Sequence, residues 1–174
     1  VSVTAATLER LPPRPGLIAY AWTKVGDGLP DRWQDRGWWV RMLRREGFTR
    51  GFAAARPPAE PLTLYRGAPA ERAAGLSWTP SPVVALMYAR CERLPSGRLG
   101  EYLDPPPGAL WTAQAPPAAM LAMLPTQSGL TNSFDEVEVL CDPDMLTPRP
   151  APAPFTVADM VTELERLRAA HGQV

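Results

Sequence analysis

Proline placement sets the first constraint on this chain. Prolines number 22 among 174 residues, about one in eight where one in twenty is usual. They cluster at Pro12-Pro13-Arg14-Pro15, Pro57-Pro58, Pro105-Pro106-Pro107, Pro116-Pro117 and from Pro148 through Pro154. A proline lacks an amide donor and ends a helix or central strand, so these clusters divide the chain into segments. No repeat of fixed period runs across them.

The segments carry readable patterns. Between Asp31 and Gly47 the spacing predicts a helix, with Trp39, Val40 and Leu43 on one face and Gly47 as its stop. Leu62-Thr63-Leu64-Tyr65-Arg66 reads as a strand ending at Gly67. Ser81-Pro82 opens a helix whose Val83, Val84, Leu86, Met87 and Cys91 form a buried stripe. A strand is expected over Ala109 to Ala113, a short helix over Ala118 to Leu124, and the clearest strand over Glu136 to Cys141. Thr156 caps a last helix with Val157, Met160, Val161, Leu164 and Leu167 at helical spacing. Helices and strands mixed without a βαβ rhythm point to an α+β fold.

Composition narrows the function. A length of 174 residues suits one domain, and a hydrophobic content of 45% can build its core. Eighteen basic residues balance eighteen acidic ones, so bulk charge gives no strong nucleic-acid signal. No apolar run approaches the roughly 20 residues of a membrane span. The start, Val1 to Leu11, includes Glu9 and shows no basic-then-apolar targeting layout, so the expected location is the cytoplasm, or delivery as an effector. The lone histidine, His171, lies near the end, which argues against Ser/His/Asp and Cys/His triads. With it and only Cys91 and Cys141, a histidine- or cysteine-based metal site is not expected, nor is a disulfide scaffold. The chemistry must run without histidine.

Three groups of residues can carry it. In Phe134-Asp135-Glu136-Val137-Glu138-Val139-Leu140, alternation sends Glu136 and Glu138 to one face, about 6.5–7 Å apart. An ordinary solvated strand face has the same pattern. Arg66 shares its face with Leu62 and Leu64, and its planar fork suits a phosphate. Gly67 next to it lets a ligand or another chain approach closely. In Ser77-Trp78-Thr79, two hydroxyls flank an indole that can stack on a flat ring, although such an indole is more often a core residue.

The order of these groups resembles the ADP-ribosyltransferases of the arginine–serine–glutamate class. There an arginine closes the first core strand, a Ser-Thr-Ser stretch follows, and a Glu-x-Glu precedes aliphatic residues. The likeness covers Leu62 to Pro143, with Arg66, Ser77, Glu136 and Glu138 on signature positions. Gly108-Ala109-Leu110-Trp111-Thr112-Ala113, the following Pro-Pro helix and Asp142-Pro143 are similar to bacterial and phage members. Two departures stand out: Ser-Trp-Thr replaces Ser-Thr-Ser, and only eleven positions separate Arg66 from Ser77, so the intervening helix must be short or absent.

The resemblance implies two small, roughly perpendicular β-sheets flanked by helices in one domain, 1–174. Its parts would be a helical part over 1–60, a signature-bearing core over 61–146, a Pro-rich connector over 147–155 and a helix over 156–172. It implies a mono-ADP-ribosyltransferase with NAD as substrate, no metal, and a macromolecular acceptor, expected to be a protein. Glu138 would stabilise the ribose cation, Ser77 would brace Glu138 or the ribose, and Arg66 would hold a phosphate, with Gly67, Trp78 and Thr79 completing the NAD site. Glu136 would handle the acceptor, for which arginine is favoured, and the loop bearing Gln127 and Asn132 would recognise it. The alternatives are an NAD glycohydrolase and a non-catalytic interaction module on the same fold. A sugar glycosidase fits less well, because two glutamates on one strand face lie on one side of any substrate.

Overall fold

In the computed structural model, residues 5–24, 35–93, 99–102, 108–125 and 137–151 are described. Three helices come first, α1 (Ala5–Arg10), α2 (Leu17–Thr23) and α3 (Arg36–Glu46). The Asp35 carboxylate accepts a hydrogen bond from the Gly37 amide and so starts α3, which ends at Gly47 with a φ of 79°. Short strands β1 (Thr49–Arg50) and β2 (Ala53–Ala54) follow, then β3 (Leu62–Ala68) and β4 (Ser77–Trp78). Ser81 Oγ accepts the Val84 amide at 3.3 Å and caps α4 (Pro82–Arg90). The remaining strands are β5 (Cys91–Arg93), β6 (Leu99–Tyr102), β7 (Ala109–Ala115), β8 (Met120–Pro125), β9 (Val137–Cys141) and β10 (Arg149–Pro150).

The fold is α+β. A five-stranded sheet runs β2-β1-β8-β9-β4 and a three-stranded sheet β10-β7-β3, while β5 and β6 form a separate pair. Burial stacks these parts in four layers. Leu8, Ile18, Trp38, Trp39 and Leu43 of the first helices pack on Leu121, Leu124 and Leu140 of the larger sheet. That sheet's opposite face presents Trp78, Met120, Val139 and Cys141 to Leu64, Ala113 and Ala115 of the smaller one. Beyond the smaller sheet, Val83, Leu86 and Met87 of α4 close on Tyr65 and Leu110. A backbone bridge joins the sheets, with Tyr65 N donating to Thr79 O at 2.7 Å and Thr79 N to Tyr65 O at 2.9 Å.

Four expectations need correction. The helix expected over Ala118 to Leu124 is a 3₁₀ turn, Pro117–Ala119, followed by strand β8. Met, Leu and Ala favour helices, but here β1 and β9 flank the segment and both faces are covered, which decides the outcome. The part over 1–60 is not wholly helical, since β1 and β2 extend the larger sheet. The Pro-rich connector contributes β10, where Pro150 is tolerated because the strand lies at a sheet edge. Cys91 begins β5 rather than ending the α4 stripe. The helix expected from Thr156 lies outside the described residues.

Candidate active site

Arg66 stands near the end of β3, where the chain turns toward β4. Its Nε donates to the Arg72 carbonyl at 3.1 Å and its Nη1 to the Ser77 carbonyl at 2.6 Å. The connection between them is short, a single 3₁₀ turn over Ala70–Arg72 in place of a longer helix. Gly75 lies against the guanidinium plane, where a Cβ would overlap Cζ and Nη2. The segment from 72 to 77 therefore wraps around the arginine, and that charge is fixed beside the first residue of β4.

Strand β4 lies at the edge of the larger sheet and pairs antiparallel with β9, Ser77 opposite Leu140 and Trp78 opposite Val139. Residues opposite one another share a face, so Ser77, Leu140 and Glu138 point toward the helical layer. Ser77 and Glu138 are diagonal neighbours, about 7–8 Å apart at the backbone. Glu138 is half-buried and does not stand on a solvated face. Its Oε1 accepts a hydrogen bond from Trp22 Nε1 of α2 at 3.0 Å. Pattern reading did not find this partner, since 116 positions separate the two residues and no local signal links them.

The other expected site residues divide into three kinds. Thr79 is 8% exposed, and its Oγ1 accepts the Ser81 amide at 3.1 Å, so the hydroxyl serves the turn into α4. Trp78 must be corrected. It is 2% exposed, packs between the sheets and donates Nε1 to the Gly75 carbonyl at 2.7 Å, leaving no open ring face for a dinucleotide. Gly67 must also be corrected, because the close approach it permits is that of α4. A Cβ there would overlap the Ala85 carbonyl oxygen and the Ala89 amide nitrogen, so a helix occupies the space assigned to a ligand. Glu136, Gln127 and Asn132 lie outside the described residues.

The thiol on β9 is ill suited to nucleophilic work. Cys141 is free and fully buried, and burial, with the neighbouring Asp142 charge, pushes its pKa up to about 12. Among the described residues no three His, Cys, Asp or Glu side chains gather into a metal-binding group, and no helix is long and apolar enough to cross a membrane. A pocket of about 140 Å³ is lined by Leu43, Arg44, Gly47, Phe48, Met120 and Leu121. It takes in none of Arg66, Ser77 and Glu138, and its lining offers no carboxylate. What the site positions chemically is a cation, a hydroxyl and a carboxylate on adjoining strands. Comparison of the chain with protein-family models, with curated proteins and with solved structures finds no match.

Proposed function

We propose that this chain is a mono-ADP-ribosyltransferase that cleaves the nicotinamide–ribose bond of NAD and passes ADP-ribose to a macromolecular acceptor. The fold proposed with it is an ADP-ribosyltransferase-like core of two roughly perpendicular sheets. The observation that carries the reading is the convergence of three separated signature segments. Arg66 bonds the Ser77 backbone, β4 pairs with β9, and Ser77 shares a face with Glu138.

The chemistry suits those residues. Nicotinamide leaves NAD as a neutral molecule from a cationic ring, so its departure needs no general acid and no histidine. The bond breaks with its electron pair going to nicotinamide, and the ribose acquires oxocarbenium character, the kind of charge that carboxylates stabilise in glycosidases. A carboxylate about 3.5 Å from that charge, at an effective dielectric near 20, contributes roughly 4–5 kcal/mol, about three orders of magnitude in rate. Glu138 takes this role. Arg66 places positive charge beside a phosphate of the dinucleotide while its Nε and Nη1 hold the turn. Ser77 borders the ribose, and Glu136 orients the acceptor.

The test uses NAD labelled on the adenylate side, incubated with purified protein and a bacterial lysate. Label on macromolecules is the expected result. Free ADP-ribose alone makes the protein a glycohydrolase, and intact NAD beside folded protein makes it a non-catalytic module. Glu138→Gln is expected to leave the fold intact and cut nicotinamide release at least about a hundredfold. Equal rates in variant and parent remove the glutamate from the mechanism.

A further inference from the structure

We propose that Trp22 is a positioning residue for Glu138, an inference that rests on the function proposed above. The indole Nε1 is a donor only, and it meets Glu138 Oε1 at 3.0 Å. With Oε1 held, the carboxylate keeps one orientation, and Oε2 is the oxygen left to meet a ribose hydroxyl.

The donor is itself held in place. The Trp22 ring stands edge-on to Trp39, with centroids 5.1 Å apart and planes at 88°. Trp39 is 2% exposed and stands edge-on to Trp38 at 5.0 Å, whose Nε1 donates to Glu9 Oε1 at 2.6 Å. At the other end of α2, the Ile18 amide donates to Glu46 Oε2 at 3.0 Å. Helix α2 is thus tied down at its first turn and again beside Trp22, so the indole nitrogen cannot drift far from Glu138 without giving up its packing on Trp39.

Mutual satisfaction of two half-buried polar groups explains why the pair is tolerated. It does not explain why a polar pair stands there. Leu140 on the same face packs into an apolar cluster, and two apolar side chains in place of Trp22 and Glu138 would be close to neutral for stability. A carboxylate fixed by a preorganised donor at the edge of that cluster is what a charge-stabilising catalyst requires.

The experiment measures nicotinamide release by the full chain and by Trp22→Phe, which keeps a ring against Trp39 and removes the donor. The expected result is a kcat about ten- to hundredfold lower, with the KM for NAD within about twofold of the parent. A kcat equal to the parent's, or a loss residing wholly in KM, overturns the inference. A second readout needs no turnover. The indole N–H resonance that disappears in Trp22→Phe, or in Trp22→Tyr should the first variant not fold, is expected to move upfield in Glu138→Gln as the acceptor loses its charge. A resonance that stays put overturns the contact. If the parent releases no nicotinamide, the proposed function falls and takes this inference with it. If the parent turns over and Trp22→Phe matches it, only this inference falls.

Discussion

The two helical layers meet their sheets in opposite ways. Helix α4 lies on the smaller sheet almost backbone to backbone, at Gly67 of β3 and with Ala85 and Ala89 facing it. The first three helices stand off the larger sheet on bulky side chains, Trp38, Trp39, Met42 and Leu43, and admit polar groups among them. There the Trp22 indole meets Glu138, and within the helical layer itself the Glu46 carboxylate meets the Ile18 amide. At Gly67 the α4 seam leaves no room for a side chain, and around that point only apolar groups fill it, so it can only hold two layers together. A seam spaced by large rings has room to place a carboxylate, and the proposed chemistry draws on that side.

Substitutions can break this contrast, beginning at the tight seam. Gly67→Val inserts a branched side chain into the backbone of α4, and it is expected to cost more than about 4 kcal/mol, enough to leave little folded protein. Urea unfolding measures it; a near-parental midpoint means the layer has slack, and the contrast fails. Trp39→Ala at the spaced seam should cost about 3–5 kcal/mol, because a fully buried ring leaves a cavity that its neighbours fill only partly.

The smallest effect comes from Glu46 and sharpens the picture of how the spaced layer accommodates charge. Burial pushes its carboxyl above the usual value of 4.5, against the opposing pull of the Ile18 amide. The protonated form is therefore the one folding favours. Its contribution is complete below about pH 4.5 and fades as the pH rises through the raised value. Oε1 is buried without a partner although the side chain as a whole is only part-buried, so solvent screening keeps the effect small. Glu46→Gln retains an acceptor for Ile18 and sheds the charge. It is expected to match or exceed the parent at pH 7 by up to about 1 kcal/mol, with the gap closing by pH 4. Thermal melts at both pH values check it; a variant weaker at pH 7 than at pH 4, relative to the parent, reverses the assignment.

Legibility in the sequence followed the range of the forces involved. Gly47 stops α3, Ser81 and Pro82 start α4, and Val137, Val139 and Cys141 share one face, because capping and alternation act over a few residues. The start of α3 at Asp35 rather than Asp31 was not readable. Long-range outcomes were not readable. Met120 to Pro125 is a strand because two neighbours pair with it, and Gly67 is a glycine because a helix lies on it. Of the site, the strand bearing Glu138 was readable from its alternation, but its pairing with the strand bearing Ser77 was not. The bonds from Arg66 to the Arg72 and Ser77 carbonyls, and from Trp22 to Glu138, depend on where the chain returns after folding.

The bridge between Tyr65 and Thr79 lies one residue from Arg66 and two from Ser77. It rivets the two sheets beside the very residues that carry the candidate site, so the guanidinium and the strand it braces are held in a fixed relation. On the function proposed above, a substrate would meet its anchoring charge where the two sheets are held most closely.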